Sequence, residues 1–180
     1  LWIGKMKIWN FENVELKNIS NLIKMYYEFR EKLDIFDKFF ENLQNDTTKF
    51  YDDFFKANYE GSSFPVYLQL SSEQFEREVS IMKEILQEEE RKEILSSCLY
   101  SILINNEDKF LKGDEPAISI ALTNQDKRPL KWLIDTYKEF GIPLVDIYTS
   151  CAEYIMHQML NLSNQSSNKK SKSQRKNESK

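Results

Sequence analysis

Apolar residues in the first third of the chain recur at alternating steps of three and four. Ile19, Leu22, Tyr26, Phe29, Leu33, Phe36, Phe40 and Leu43 keep one heptad register from end to end. That spacing predicts a helix over 16–44. Ile23, Met25, Tyr27, Ile35 and Phe39 widen its apolar stripe. A tight two-stranded coil prefers Leu, Ile or Val where this seam carries Tyr and Phe. The wide aromatic face therefore favours the central helix of a globular bundle over a dimer seam.

Residues 46–59 continue the pattern with Phe50, Tyr51, Phe54, Phe55 and Tyr59. Asn45 or Asp46 is placed to cap a new helix. The step from Leu43 to Phe50 also keeps the register of one continuous helix. Gly61-Ser-Ser-Phe-Pro65 ends the periodicity, and Val66 to Leu70 reads as a short extended piece at best. Ser71 or Ser72 then caps a helix, Ser71 and Gln74 having capping-box spacing. Its stripe is Phe75, Val79, Met82 and Leu86. A second stripe, Ile94, Leu95, Cys98, Leu99, Ile102 and Leu103, lies on roughly the opposite face. The charged run 87–93 between them leaves one helix or two open, since no Gly or Pro forces a break.

Residues 105–116 read as a loop with a helical turn near Phe110, and 117–122 as a short apolar element, helix or strand. Pro129 opens a helix with Leu130, Leu133, Tyr137 and Phe140 on one side, and Gly141 is its C-cap. Pro143 opens the last helix, with Leu144, Tyr148, Cys151, Ile155, Met159 and Leu162 as its expected buried stripe. At the other end, residues 1–14 show broken alternation, which suits a short extended arm. Residue 1 is not Met, and Met6 is a candidate start.

The expected fold is therefore mainly α. It is a helical bundle of about five or six helices with a short extended N-terminal segment and a disordered basic C-terminal tail. The domain is assigned to 1–162. The tail, 163–180, contains no apolar residue and cannot bury surface to offset its ordering entropy.

Composition narrows the chemistry. Four glycines among 180 residues are too few for a turn-dense all-β fold, and none sits in a phosphate-cradling loop. One histidine and two cysteines exclude most metal centres and catalytic triads. Cys98 and Cys151 read as small buried hydrophobes in a reducing compartment rather than a disulfide framework. No apolar run approaches the roughly 20 residues of a membrane span. The expected location is the cytoplasm, with no membrane attachment.

The formal net charge of −4 hides an asymmetry. Between 163 and 180 stand Lys169, Lys170, Lys172, Arg175, Lys176 and Lys180 against Glu178, a local charge of +5. The remainder carries −9, so an acidic body bears a basic end. The first five of these cations are the candidate polyanion-binding residues, acting by charge alone because no aromatic is present to stack on bases.

Several constellations have a plainer reading. The pair of helices over 130–160 has helix-turn-helix spacing. Tyr137, however, is bulky where such motifs take a small residue. From Leu144 to Leu162 there is no Lys or Arg, and Asp146 and Glu153 add negative charge. An ordinary αα-hairpin fits better. His157 follows Glu153 by one turn but lies off the apolar stripe with no nucleophile near it in sequence. The acidic pairs Asp52-Asp53 and Asp114-Glu115 and the run Glu88-Glu89-Glu90 match no metal-loop pattern, and adjacent acids on a helix diverge. No phosphate-binding, nucleophile-elbow, zinc-protease or Cys-x-x-Cys motif occurs.

No catalytic residue, metal or cofactor is assigned. The expected role is a non-catalytic helical protein-interaction module: an adaptor, a regulator or a subunit of a larger complex. Its partner is a protein, and homo-oligomerisation is compatible with the same surfaces. The bulky residues of 16–59 exceed what one buried stripe needs. Tyr26, Tyr27, Phe39, Tyr51 and Phe55 are the candidate partner-binding set. The alternative is a nucleic-acid-binding regulator that uses the basic tail and the degenerate helix pair at 130–160.

Overall fold

The computed structural model describes residues 13–29, 35–112 and 116–177, with side chains placed over 16–29, 36–112 and 116–163. The expected extended arm, 1–12, lies outside the described residues. Within them the fold is all-helical: α1 (Asn13–Phe29), α2 (Ile35–Tyr59), α3 (Phe64–Ile85), α4 (Glu88–Ile102), α5 (Glu107–Leu111), α6 (Ala117–Thr123), α7 (Arg128–Glu139) and α8 (Val145–Asn177). A 3-10 turn, Ile104–Asn106, joins α4 to α5. This is the mainly α architecture that the periodicity predicts, with more and shorter elements in its second half.

The long aromatic stripe is shared between α1 and α2, two helices that pack on each other. Phe36 sits 4.5 Å from Tyr27, ring to ring, and stacks on Phe40 at 6.2 Å. Ile23, Phe36, Leu43, Tyr51 and Phe55 are buried along this stripe. At the far end of α2 a second aromatic pile forms. Phe55 and Tyr59 stack at 4.9 Å, Tyr67 meets Phe55 edge-on at 5.6 Å, and Phe110 of α5 lies 4.8 Å from Phe64. Edge-on and offset rings add to the energy of simple area burial.

α3 corrects the sequence reading. The segment 66–70 is helical, and Ser71 is a buried interior residue rather than a cap. Pro65 stands in the first turn of α3, where its missing N–H and fixed φ cost nothing. The buried row runs Phe64, Tyr67, Leu68, Ser71, Phe75, Glu78, Met82 and Ile85, an unbroken helical face that begins at Phe64. Tyr67 anchors that face by donating to the Ile102 carbonyl at 2.6 Å.

Residues 71–104 belong to two helices. Leu86 and Gln87 leave the helical conformation (ψ 152° and 169°) without Gly or Pro. The tertiary structure supplies the reason. Ile85 and Leu86 are both buried, and the Gln87 N–H donates to the Tyr27 hydroxyl at 3.1 Å. Glu88, Glu89 and Glu90 then occupy the first turn of α4, where the helix dipole favours negative charge. The opposed stripes on 71–86 and 94–103 thus face one core from two directions.

α3 is the hub. It packs against α1, α2, α4, α6 and α7, while α2 packs most closely against α4. Phe75 of α3 meets Trp132 and Phe140 edge-on. α7 ends in a Schellman turn: Gly141 has φ 67°, its N–H donates to the Lys138 carbonyl, and Ile142 N–H donates to Tyr137 at 2.8 Å. α8 then packs against α5 and α6. α7 and α8 are therefore not a self-contained αα-hairpin, because each finds its main support elsewhere. The backbone of 163–177 is helical in continuation of α8, where composition predicts disorder. No Gly or Pro follows Pro143 to stop it.

Candidate functional site

The five aromatic candidates separate into two groups. Tyr51 and Phe55 are buried in the core, so they leave the surface set. Both lie on the side of α2 that meets α3 and α4 rather than on a spare face. Tyr26, Tyr27 and Phe39 are half-buried at the opposite end, with Tyr26 and Phe39 at 5.6 Å. The same end of α1 carries Met25 and Phe29, 44% and 45% exposed, one turn apart on the surface. The aromatic surplus is thus partly core and partly a surface cluster.

The remaining sequence candidates stay apart. His157 is exposed, and its Nδ1 is 3.4 Å from the Asn161 amide. It borders a groove with Ser119, Ile120, Thr123, Tyr154 and Gln158, and no carboxylate joins it there. Glu88 pairs with Lys92 at 2.8 Å across one exposed helical turn, which lowers its pKa. Asp114 and Glu115 lie outside the described residues. Among the described residues no three His, Cys, Asp or Glu side chains come together as a metal site. Cys98 is buried, Cys151 is half-buried, and both are free thiols.

Two constellations escaped the sequence reading. The first is inside the core. The Tyr51 hydroxyl donates to Glu78 Oε2 at 2.9 Å, in a buried setting. Burial pushes the Glu78 carboxyl up to about 7, against the opposing hydrogen bond from Tyr51. Burial, then the Glu78 charge, raises Cys98 well above an ordinary thiol. Among the described residues Glu78 Oε1, Gln74 Nε2 and Ser71 Oγ have no partner in good hydrogen-bond geometry, and all three lie on one face of α3. Such a cluster is an expensive element of a core. Its signal in the sequence was the row Ser71, Gln74, Phe75, Glu78 and Met82, legible only once α3 is known to start at Phe64.

The second is a cleft of about 410 Å³ where α4, α5 and the α7–α8 turn meet. Its walls include Tyr100, Ile104, Phe140 and Pro143, and two acids, Glu107 and Asp146, stand on its rim. Burial first, then repulsion from Asp146, raises the Glu107 carboxyl. Burial and the Glu107 charge raise the neighbouring Tyr137 hydroxyl. The cleft is apolar with an acidic rim, a combination that favours a basic amphipathic segment over a polyanion.

The last helix reverses an expectation. Tyr148, Ile155, Met159 and Leu162, the expected buried stripe, are each more than half exposed. The buried side of α8 is carried by Ile147 and Ser150, whose hydroxyl donates to the Leu111 carbonyl at 3.1 Å. As a reader of nucleic acid this face is apolar and anionic between 145 and 162. The cations at Lys169, Lys170, Lys172, Arg175 and Lys176 stand on its far end, where side chains are outside the described set.

No helix among the described residues is long and apolar enough to cross a membrane. No curated protein and no solved structure matches the chain. A family does match, described as "Cullin: Cullin alpha solenoid domain", over residues 6–179. Its all-helical architecture agrees with α1–α8. The chain therefore belongs to the cullin family, matching its alpha solenoid domain, a helical protein-interaction scaffold.

Proposed function

We propose that this chain is a docking subunit of a larger complex, and that a protein partner seats on the outer end of α1 and α2. The observation that carries this reading is the half-covered aromatic cluster there. Tyr26 and Phe39 meet at 5.6 Å and are half-buried, and Met25 and Phe29 beside them are exposed. Aromatic and Met side chains are enriched at interfaces: the rings bury large area with few rotamers, and Met adapts its shape to the partner. A scaffold role also suits a hub helix, α3, that packs against five other helices. The acidic body supports a partner whose contact surface is neutral or basic.

The test uses the full chain and a Met25→Glu/Phe29→Glu variant, both checked for the same thermal midpoint. Each captures proteins from the native host, and cross-links on the captured partner are mapped. Retention by the wild type, loss by the variant and cross-links near α1 support the site. Equal retention by both chains removes it.

A further inference from the structure

α8 carries a second apolar face that nothing among the described residues covers. Val145, Tyr148, Ala152, Ile155, Met159 and Leu162 are all exposed, and they step by 3, 4, 3, 4 and 3. That is an a/d seam on the outside of a helix, about 25 Å long. Its side chains offer on the order of 500 Å² of apolar surface, at the upper end of what a monomer leaves uncovered. An a/d seam takes another helix of matching length as its complement.

We propose that the complement is α8 of a second copy of this chain, packed antiparallel, so that each basic helix end lies toward the other copy's acidic cleft.

Side-chain size and charge both select that arrangement. In an antiparallel pair centred on the seam, Val145 faces Leu162, Tyr148 faces Met159 and Ala152 faces Ile155. Every layer then joins a larger side chain to a smaller or softer one, and Tyr148 gains a sulfur contact. A parallel pair sets Ala152 against Ala152, leaving a void at mid-seam, and Tyr148 against Tyr148.

The charges agree with this direction. α8 is polarised along its length: Asp146 stands at its start beside Glu107, and five cations lie between 169 and 176. A parallel pair would set the five cations of each copy side by side. The antiparallel pair carries them past the partner's Val145, toward the cleft rimmed by Glu107 and Asp146. A helix rises about 1.5 Å per residue, so the backbone at Lys169 lies about 10 Å beyond Leu162 along the helix axis, past the end of the other copy's helix where Asp146 stands. The contact repeats twice about a two-fold axis, which closes the assembly at two copies. The apolar seam alone falls below the roughly 800 Å² per partner of a standard interface. The two end contacts complete it.

The experiment is sedimentation equilibrium of the full chain over the micromolar range, with three variants. Ile155→Glu/Met159→Glu is expected to weaken the dimer at least about 100-fold while the thermal midpoint of the monomer stays unchanged. Lys169→Glu/Lys170→Glu/Lys172→Glu is expected to weaken it about tenfold, with most of that loss reproduced in the wild type by raising salt. Orientation is read from Val145→Cys and Leu162→Cys chains in a Cys151→Ser background. An oxidised mixture gives the mixed disulfide if the helices are antiparallel, and self-disulfides of each chain if they are parallel. A wild type that stays monomeric at about 100 μM, a dimer indifferent to Ile155→Glu/Met159→Glu, or self-disulfides alone each overturns the proposal.

Discussion

Replacing Glu78 with Gln tests the buried polar cluster where its cost is largest. In the folded chain Glu78 titrates at about 7, against 4.5 for the exposed group. At about 1.4 kcal/mol for each tenfold change in proton affinity, holding the ionised carboxylate costs about 3.5 kcal/mol of stability. The sign follows from proton counts. Between pH 4.5 and 7 the folded chain holds the Glu78 proton and the unfolded chain has released it. Stability therefore falls as pH rises through this window, and levels off above it. Glu78→Gln keeps the shape and an acceptor for the Tyr51 hydroxyl but carries no charge. Urea unfolding followed by tryptophan fluorescence is measured at several pH values from 5 to 8. The variant is expected to match the wild type near pH 5 and to exceed it by about 2–3 kcal/mol at pH 8. Glu107 is raised as well and contributes a slope of the same sign to both chains, so the difference between them isolates Glu78. An unchanged slope in the variant, or a variant less stable than wild type at pH 8, would refute the reasoning.

Two further outcomes follow from other parts of the molecule. Gly141→Ala is expected to cost about 1 kcal/mol, because φ 67° is left-handed and no neighbouring atom stands within 4 Å to add a clash. A loss of several kcal/mol in the urea midpoint would show that the turn at Gly141 does more than end α7. Duplex DNA is expected to bind the full chain weakly and only at low salt, with no sequence preference, because the available cations cluster at 169–176 while the body is acidic. Tight, sequence-selective binding at about 150 mM salt in an anisotropy titration would instead revive the helix pair at 130–160 as a reader.

Periodicity determined most of the helices. The stripes on 94–103 and 130–140 are dense, and the 3.6-residue repeat reads them as helices. The stripe read as one helix over 16–44 is instead divided between α1 and α2, which pack on each other, and α2 runs through 45–46 with no new cap. The Gly141 turn was equally legible, since a left-handed residue after a helix selects Gly. One histidine and two cysteines left few ways to build a histidine–cysteine metal centre or a catalytic triad. The acidic body and basic end were countable directly.

Only the tertiary structure decided where helices stop and which apolar faces are used. Leu86 and Gln87 break the 71–104 segment because Ile85 and Leu86 must both be buried and Tyr27 waits to accept the Gln87 N–H, a contact 60 residues away in the chain. Pro65 read as a terminator, yet it opens α3, because a proline is compatible with either side of a boundary. Tyr51 and Phe55 looked like surplus until α3 and α4 covered them. Tyr148, Ile155 and Met159 looked buried until the packing of α8 against α5 and α6 took a different face. An apolar stripe states that a face wants cover. Which neighbour covers it, or whether a second chain must, depends on how the other elements fill the space around it.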